Sequence, residues 1–528
     1  MATSPPRGAN FESQGALAYH EATKHSERSI AASRHSLDWS NQPLPFKIYR
    51  ELAPIPLVVD SSAKEVAALA AISQRRELAH SAREERLPDL ATLSRVLFLS
   101  AGITKRKRYA GGEMLFRAHP NTGALYHIDL YLVAGVLPGL AAGVYHFGPH
   151  DFSLRCLRAG DYRAVLALAS GGNRKIARAP VVIASASTYW RNAWKYQARA
   201  YRHCFWDAGA LHANLLAAAE SEGLEPCVIM GFADAPVERL LALDPWREGA
   251  LTLVPLGRSA RGAPPAPVLT ELQPVVQPLS RSEVDYPEIR DAHAASALAD
   301  GREAAEWRVE VAPRSELPRA GSVHSLQVSA DADQPRESLD QVIRRRGSTR
   351  AFDRYRSITF EQLSTVLDRA TRGVPADFLD SAGATVLDLY LIVHAVDGLA
   401  PGAYVYRRAE RALELLRTGD LRRAAGRLAL GQALAADAAV NVYSLTDLAT
   451  VLARFGNRGY RAAQLEGGIA GGRLYLAAYA LGFGATGLTF FDDEVTEFFS
   501  PHAAGKSVMF LAALGHPDRA ALGLAPRA

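Results

Sequence analysis

Leu137-Pro-Gly-Leu-Ala-Ala-Gly-Val-Tyr145 is repeated 259 residues later as Val396-Asp-Gly-Leu-Ala-Pro-Gly-Ala-Tyr404. The same offset relates Asp129-Leu-Tyr-Leu-Val133 to Asp388-Leu-Tyr-Leu-Ile392. A constant offset of this length is typical of a duplicated domain, because solenoid repeats have periods of only about 20 to 50 residues. The sequence therefore predicts two domains of one kind in a single chain, and a site at their junction can draw residues from both.

The composition of the 528 residues is that of an ordinary globular protein, with 48% hydrophobic and 22% charged residues. A net charge of +5 is mild for this length and does not predict nucleic-acid binding. The cysteines Cys156, Cys204 and Cys227 lack metal-ligand spacing and cannot form a disulfide framework, so we expect no metal site and a reducing, cytoplasmic location. No signal peptide and no membrane-spanning run of about 18 apolar residues is expected.

The repeat and the local composition divide the chain into four regions. An N-terminal arm over residues 1–60 precedes a first domain over 61–257. A linker over 258–335, rich in Pro, Ser, Ala and charge, leads to a second domain over 336–528. The linker contains a short predicted helix near 292–306. Helix and strand patterns alternate within each domain, so we predict the α+β class, with helices covering a central sheet.

Local patterns in the second domain predict individual elements. Ser338 and Gln341 form a capping-box pattern that opens a helix over Leu339–Arg346. Branched and aromatic residues predict a strand over Val386–Val393. Gly468–Leu481 is predicted to be a helix whose many Gly and Ala residues let another helix approach closely.

The first candidate site is the segment Arg346-Gly-Ser-Thr-Arg-Ala-Phe352. The preceding helix must end near Gly347, and in the extended chain that follows, alternate residues face the same way. Arg346, Ser348 and Arg350 can therefore point two guanidinium groups and a hydroxyl at one phosphate monoester. A basic helix end stabilised by the helix dipole explains the same residues equally well.

The second candidate is Arg117-Ala-His-Pro-Asn-Thr-Gly-Ala-Leu125, just before a predicted strand. Asn121 and Gly123 indicate a tight turn, which can hydrogen-bond a planar heterocycle or a ribityl chain. A plain loop is the interpretation that these residues favour when taken alone. A further pair of turns, Ile229-Met-Gly-Phe232 and Leu488-Thr-Phe-Phe491, can lay backbone amides against the edge of a ligand.

The third candidate is the pair Lys195 and Tyr196, either of which can accept a proton if its pKa is lowered. Their counterparts, Arg454 and Phe455, cannot act as a base. Taken alone, the pair is better explained as surface residues of a helix. The basic run Lys105-Arg-Lys-Arg108 is likewise interpreted as a solvated loop, with contact to a phosphate or an acidic substrate as the alternative.

In their order and spacing, these motifs resemble the nitroreductase superfamily of flavin enzymes. Within it, the Pro-Asn-Thr-Gly-Ala-Leu turn, the Leu-Tyr-Leu-Val strand and Trp194-Lys-Tyr196 are similar to the SagB-type dehydrogenases, which include the azoline oxidases of peptide-modification pathways. The resemblance covers most of residues 90–257 and 336–516. It implies a mostly antiparallel central sheet in each domain, an intramolecular pseudo-dimer, and an FMN cofactor bound at the seam.

The resemblance also implies a role for each candidate residue. The second domain would hold the FMN phosphate through Arg346, Ser348 and Arg350. The turn of the first domain would contribute further cofactor contacts, from Arg117, Pro120, Asn121, Thr122 and Gly123. The segment near the flavin N5 would be Gly487, Leu488 and Thr489. Catalysis would depend on Lys195 and Tyr196.

The two copies have lost different parts of this site. The first copy has no convincing Arg-x-Ser-x-Arg segment. The second copy has Asp380-Ser-Ala-Gly383 in place of the turn and Arg454-Phe455 in place of the Lys-Tyr pair. We therefore predict one competent and one degenerate FMN site in each chain.

The predicted function is FMN-dependent oxidation of an azoline-like heterocycle in a small molecule or a peptide. Two alternatives stay open: an NAD(P)H-dependent nitro or quinone reductase of the same fold, and a flavin-free interaction protein. Because the seam supplies the usual dimer interface within one chain, a monomer is sufficient. No membrane or nucleic-acid partner is expected.

Overall fold

The structure of the protein is a computed structural model, and it describes residues 9–12, 14–59, 65–73, 85–109, 112–308, 318–379, 384–518 and 520–521. The segment Asp380–Gly383, predicted to replace the turn in the second copy, lies outside the described residues. None of the helices in the described ranges combines the length and the apolar character needed to cross a bilayer.

The first domain is built on a six-stranded sheet in which every neighbouring pair is antiparallel. Its edge strand comes from the N-terminal arm, so the arm is part of the domain. In spatial order, the strands are Pro54–Pro56, Ser153–Ala159, Gly143–Gly148, Ile128–Ala134, Val181–Thr188 and Glu248–Leu256.

The second domain is built on a seven-stranded sheet that is also antiparallel throughout. Five of its strands are related to strands of the first sheet by the 259-residue offset, which confirms the duplication and the α+β class. In spatial order, they are Gly484–Gly487, Ser507–Gly515, Val440–Thr446, Asp388–Val393, Gly402–Arg407, Ala412–Thr418 and Val323–Ser325. The last of these comes from the linker.

Helices cover both sheets. The arm and the first domain contribute Ala9–Glu12, Gly15–Ala22, Glu27–Ala32, Ala68–Ala71, Leu90–Ala101, Arg163–Ala169, Arg174–Arg178, Tyr189–Tyr196, Ala200–Ser221 and Asp234–Leu241. The linker contributes Pro287–Ala295 and Gly301–Trp307. The second domain contributes Leu339–Arg345, Phe360–Ala370, Arg422–Leu428, Ala433–Asp437, Leu448–Phe455, Arg458–Ala480 and Asp492–Phe499.

Smaller elements complete the described part of the fold. Short 3-10 turns occupy Trp39–Asn41, Thr122–Ala124, Gln197–Arg199 and Asp331–Asp333. A two-stranded antiparallel hairpin pairs Ile103–Tyr109 with Gly112–Arg117. A two-residue parallel ladder pairs Ile358–Thr359 with Val396–Asp397.

Several predicted elements differ in detail from the observed ones. The capping box of Ser338 and Gln341 is confirmed, and its helix ends at Arg345. The glycine-rich helix begins at Arg458, well before the predicted Gly468, because burial between the domains compensates for the low helix propensity of glycine. The short helix predicted in the linker is two helices. The basic run at 105–108 lies in a strand, not in a loop.

The two longest helices, Ala200–Ser221 and Arg458–Ala480, pack against each other at the seam, and we call them the first and second central helices. Their contact depends on glycine. A Cβ atom added to Gly209 would lie 2.5 Å from the carbonyl oxygen of Leu465, and one added to Gly472 would lie 2.6 Å from the Cβ atom of Ala213. The backbones therefore approach closely, as the small residues predict.

Two buried ion clusters related by the pseudo-symmetry close the seam. Asp492 of the second domain accepts hydrogen bonds from Arg199 and Arg202, at 3.0 and 2.5 Å. In the first domain, Asp234 accepts from Arg458 and Arg461 of the second central helix, at 2.7 and 2.8 Å. The arginines occupy equivalent positions on the two central helices, so each domain holds the other in the same way. The predicted intramolecular pseudo-dimer is confirmed.

Candidate functional site

The Arg-x-Ser-x-Arg segment leaves the helix Leu339–Arg345 and crosses the seam. Arg346 is buried, and its guanidinium donates from Nε to the carbonyl oxygen of Ala118 at 2.9 Å and from Nη2 to that of Arg117 at 2.8 Å. Burial lowers the pKa of Arg346. Arg350 is exposed, and its guanidinium has no hydrogen-bond or ion-pair partner in the described part of the chain. Arg346 therefore fastens the two domains together, while Arg350 stays available for an anion.

The turn at 120–123 of the first domain is hydrogen-bonded to the first central helix. The backbone amide and the hydroxyl of Thr122 donate to the carboxylate of Asp207, at 2.9 and 2.8 Å. Asn121 accepts a hydrogen bond from the amide of Tyr126 at 2.7 Å. Gly123 has a φ of +63°, a conformation that favours glycine, and is exposed.

The Lys-Tyr pair ends the helix Tyr189–Tyr196 and lies directly against this turn. A Cβ atom added to Gly123 would lie 2.9 Å from the hydroxyl oxygen of Tyr196. The tyrosine ring makes an edge contact with His203, with centroids 4.6 Å apart. The Nζ atom of Lys195 lies 5.4 Å from the centroid of the Tyr196 ring. The turn and the pair thus form one surface of a cleft.

The pKa values of Lys195 and Tyr196 are shifted by burial and by charges from both domains. Burial, followed by the positive charge of Arg350, lowers the pKa of Lys195. Burial raises the pKa of Tyr196, the negative charge of Asp207 adds to this effect, and Arg350 opposes it. The charge of an arginine from the second domain therefore reaches both residues of the first-domain pair. Of the two, only Lys195 has its pKa moved in the direction that a base requires.

The segment Gly487–Thr489 belongs to the second domain, on the same side of the seam as Ser348. The amide of Gly487 donates to the hydroxyl of Tyr475 at 2.6 Å, and the hydroxyl of Ser348 lies 3.2 Å from that same oxygen. The amide of Leu488 donates to the carbonyl oxygen of Leu511 at 3.0 Å. Within the described residues, the amide and the hydroxyl of Thr489 have no partner. Of this segment, Thr489 is therefore the residue best able to bind a ligand.

The polar groups left without partners fit FMN. Across the described ranges, the side-chain amide nitrogen of Asn121 and the hydroxyl of Thr489 are buried atoms with no hydrogen-bond partner. Asn121 belongs to the first domain, and Thr489 belongs to the second, which also supplies the unpaired guanidinium of Arg350. Exposed glycines at Gly123 and Gly487 allow close approach of a planar ring. One cation for a phosphate and several hydrogen-bonding groups for a ring edge match the demands of FMN.

Arg117 does not have a free guanidinium. It is 2% exposed and donates to the carbonyl oxygens of Ile128 and Pro45, at 3.3 and 2.5 Å. Burial and the neighbouring charge of Arg191 lower its pKa to about 10. This geometry makes Arg117 an anchor between the arm and the turn, and it does not favour the predicted contact with FMN.

The pseudo-equivalent cleft on the other side of the seam is filled by the chain itself. Phe455, the counterpart of Tyr196, contacts Trp307 of the linker, with ring centroids 5.3 Å apart. The indole nitrogen of Trp307 donates to the carbonyl oxygen of Phe455 at 2.9 Å, and so does the side chain of Asn10. Trp307 is 1% exposed. Linker and arm together bury Phe455, which is 2% exposed, whereas Tyr196 at the equivalent position is only partly buried.

The backbone amides of the filled cleft are also satisfied. In the equivalent turn of the first domain, the amide of Met230 donates to Asp377 at 2.8 Å. The other carboxylate oxygen of Asp377 accepts from the amide of Gly231 at 2.9 Å. Arg308, next to Trp307, donates to the carbonyl oxygen of Gly231 at 3.0 Å. This cleft therefore presents no free backbone amide at the position where the competent cleft presents one.

Sequence reasoning missed Asp207, Tyr475, Trp307 and Asp377. A usable signal existed for two of them. Trp307 is the one tryptophan of the linker, and Tyr475 stands where the first copy has Leu216. No local pattern singles out Asp207 or Asp377, because their partners are distant in the sequence.

The chain is similar to several known proteins. The nitroreductase family model matches residues 64–258 and 343–516. A protein of Methanocaldococcus jannaschii named as a nitroreductase is 30% identical over 169 residues, which cover 32% of this chain and 80% of the relative. The trifolitoxin-processing protein TfxB of Rhizobium leguminosarum bv. trifolii is 33% identical over 149 residues, 27% of this chain but only 40% of TfxB.

A solved structure extends the similarity to nearly the whole chain. The crystal structure of a protein from Anabaena variabilis, described as a nitroreductase, superposes with a TM-score of 0.74 at 28% identity. The match covers 95% of this chain and 99% of that one. Membership of this family implies oxidoreductase activity. With the family model matched in both halves, the chain belongs to the nitroreductase family and carries two of its domains in one polypeptide.

Proposed function

We propose that the protein is an FMN-dependent dehydrogenase of the SagB type, which oxidises an azoline-like heterocycle in a peptide or a related natural-product intermediate. One observation carries the proposal: Arg346 at the start of the Arg-x-Ser-x-Arg segment donates across the seam to the carbonyl oxygens of Arg117 and Ala118, which places this segment beside the turn and the Lys-Tyr pair of the first domain. The resemblance of the Lys-Tyr pair to azoline oxidases and the similarity to TfxB support the choice of substrate.

The residues divide the work in the following way. FMN, when bound, supplies the hydride acceptor. Arg350 and Ser348 hold its phosphate, and Asn121 and Thr489 hydrogen-bond its polar edge. Converting an azoline to an azole removes one ring hydrogen as hydride and one as a proton. Nζ of Lys195, in its neutral form, accepts the proton.

The environment of the pair suits this division. A lowered pKa increases the neutral fraction of Lys195, and a general base of this kind contributes about 10²–10⁴-fold to the rate. The raised pKa of Tyr196 keeps its hydroxyl protonated against the turn, so it orients the substrate as a hydrogen-bond donor. Molecular oxygen is the proposed final electron acceptor.

The cofactor assignment is tested by the absorbance spectrum of the purified protein together with its flavin content. We expect a yellow protein with one FMN per chain. Two equivalents of FMN, lost only when both clefts are mutated together, would show that the second cleft also binds. A colourless protein that cannot be reconstituted with FMN would favour the flavin-free interaction protein.

The reaction is tested by anaerobic mixing of the FMN-loaded protein with a thiazoline-containing peptide or with NADPH. We expect the peptide to bleach the flavin and to be converted to the thiazole. Fast bleaching by NADPH, with no reaction of the thiazoline, would instead identify an NAD(P)H-dependent nitro or quinone reductase.

A cytoplasmic location and a monomeric state are part of the proposal. The cysteines Cys156, Cys204 and Cys227 are free in the structure, as expected in a reducing compartment. The pseudo-dimer supplies both walls of the cleft from one chain, so a second copy is not needed to complete the site.

A further inference from the structure

A cationic hairpin stands beside the competent cleft. Its first strand, Ile103–Tyr109, carries the four consecutive bases of the run at 105–108, and all four are exposed. Among the described residues, the acid paired with them is Glu113, which lies 3.3 Å from Arg106 and 3.5 Å from Arg108. Lys105 and Lys107 have no ion-pair partner in the same set. The hairpin therefore has an excess of positive charge facing solvent.

The base of the hairpin is joined to the cofactor site. Its second strand ends at Arg117, whose carbonyl oxygen, with that of Ala118, accepts the hydrogen bonds from Arg346. The side-chain amide of Asn214 also donates to the carbonyl oxygen of Ala118, at 2.8 Å. The turn at 120–123 follows within a few residues. The charged strands therefore continue the wall that carries the turn.

Among the described residues, the hairpin has no equivalent at the filled cleft. In the first domain it lies between the helix Leu90–Ala101 and the strand Ile128–Ala134. In the second domain, the corresponding stretch between Phe360–Ala370 and Asp388–Val393 forms no strand in its described residues, 371–379 and 384–387. The extra element thus accompanies the cleft that keeps the Lys-Tyr pair.

Neither outer edge of the hairpin is paired with another strand in the part of the chain that the structure describes. Within the described ranges, each of its strands pairs only with the other. A two-stranded sheet is marginal in water, and an exposed edge accepts a further strand through its backbone amides and carbonyls. Alternate residues of that strand would face Lys105 and Lys107, which point the same way because side chains alternate along a strand.

We propose that the hairpin binds an acidic, extended segment of a peptide substrate by strand addition and so delivers the adjoining heterocycle to the cleft. The inference rests on the proposed function, in that it makes the substrate a peptide. Backbone pairing supplies the register, and the lysines select acidic side chains. The competing explanation is that lysines on an edge strand only prevent aggregation.

The test measures peptide binding by the full FMN-loaded chain, without turnover. The probes are two fluorescein-labelled peptides, one of alternating glutamate and serine, and one with lysine in place of glutamate. The hairpin variant is K105E/K107E. The matched control, R174E/R423E, makes the same change in net charge at two exposed arginines on helices elsewhere in the molecule.

We expect the glutamate peptide to bind and the lysine peptide not to bind. The hairpin variant should lose about 10-fold or more in affinity, since reversing two charges changes attraction into repulsion, and the control should change by less than about 2-fold. Methylating one set of alternate backbone amides of the glutamate peptide should abolish binding, and methylating the other set should not, because only every second amide of an added strand faces the hairpin. Equal losses in both charge variants, or the same response to the two methylation patterns, would overturn strand addition at the hairpin.

The measurements distinguish failure of the peptide-docking inference from failure of the proposed function. If K105E/K107E aggregates but binds the glutamate peptide normally, the lysines serve only to protect the edge and the inference is wrong. If the wild-type protein binds the glutamate peptide at the hairpin but holds no FMN, the proposed function fails while the docking surface stands.

Discussion

The two clefts at the seam are built from equivalent secondary structure, but in the described part of the chain one has polar groups without partners and the other is filled by side chains. In the competent cleft, Tyr196 lies against an exposed glycine turn, and the amide and hydroxyl of Thr489 have no partner among the described residues. In the filled cleft, Phe455 packs against Trp307, and the amide of Met230 donates a hydrogen bond to Asp377. Duplication has separated two tasks: one cleft keeps its polar groups free, and the other has become part of the core.

The difference shows what an open site costs. Buried polar atoms without partners are destabilising, and a functional cleft retains them because a ligand will satisfy them. The filled cleft reduces this cost, because the carboxylate of Asp377 accepts from the amides of Met230 and Gly231 and the indole ring of Trp307 packs against Phe455. Stability should therefore depend on the filled cleft, and turnover on the open one.

The largest expected effect separates the clefts by chemistry. Lys195→Ala should reduce turnover of a thiazoline peptide by about 10²–10⁴-fold, because the general base is lost, and should leave the FMN content unchanged. Arg454→Ala, at the equivalent position of the filled cleft, is the matched control and should leave turnover unchanged. Steady-state rates and flavin absorbance measure both. Retained turnover in Lys195→Ala would remove the proposed base.

The next effect separates them by stability. Trp307→Ala should lower the free energy of unfolding by about 3–5 kcal/mol, because a fully buried indole leaves a cavity, while the protein still binds one FMN. Trp39→Ala, at a tryptophan that is 66% exposed, should cost far less. Urea denaturation with flavin quantification provides the measurement. The appearance of a second equivalent of FMN would mean that the linker blocks an intact site.

A smaller effect concerns the phosphate. Arg350→Ala should weaken FMN binding by about 10- to 150-fold, since a hydrogen bond to a charged group is worth about 1.5–3 kcal/mol. Fluorescence titration of FMN measures the dissociation constant. Arg354→Ala removes an exposed neighbouring charge from the same segment and should have little effect. Equal affinities for Arg350→Ala and the wild type would place the phosphate elsewhere.

A still smaller effect concerns Tyr475, which the first copy replaces with Leu216. Its hydroxyl joins Gly487 to Ser348, so Tyr475→Phe should weaken FMN binding by about 2- to 10-fold, equivalent to one neutral hydrogen bond. Tyr479→Phe, one turn along the same helix, is the control. The same titration applies, and no difference between the two variants would deny Tyr475 a positioning role.

The last prediction concerns pH. Turnover should rise with pH as Lys195 loses its proton, because only the neutral amine accepts one. Since burial and Arg350 lower the pKa of Lys195, the rise should occur below the range of an exposed lysine. Arg350→Ala removes a positive charge and should move the rise to higher pH. A pH–rate profile of both proteins at saturating FMN tests this, and a shift to lower pH would contradict it.

Most of the fold could be predicted from the amino-acid sequence alone. The constant offset revealed two like domains, and Ser338 marked a helix start, because a cap bonds an amide only three residues away. The motif Trp194-Lys-Tyr196 could be recognised as a candidate base for the same reason, since its three residues are adjacent in the sequence. Such short-range signals survive in any sequence that keeps the local structure.

Only the tertiary structure decided which candidate groups are free. The sequence shows arginines at 117, 346 and 350, all of a type that suits a phosphate. In the folded chain, however, the first two donate to main-chain carbonyls, and Arg350 is the one of the three without a partner among the described residues. Trp307 and Asp377 fill one cleft from distant positions in the sequence. Composition fixes which donors and acceptors a chain has, whereas long-range packing fixes which of them meet a partner.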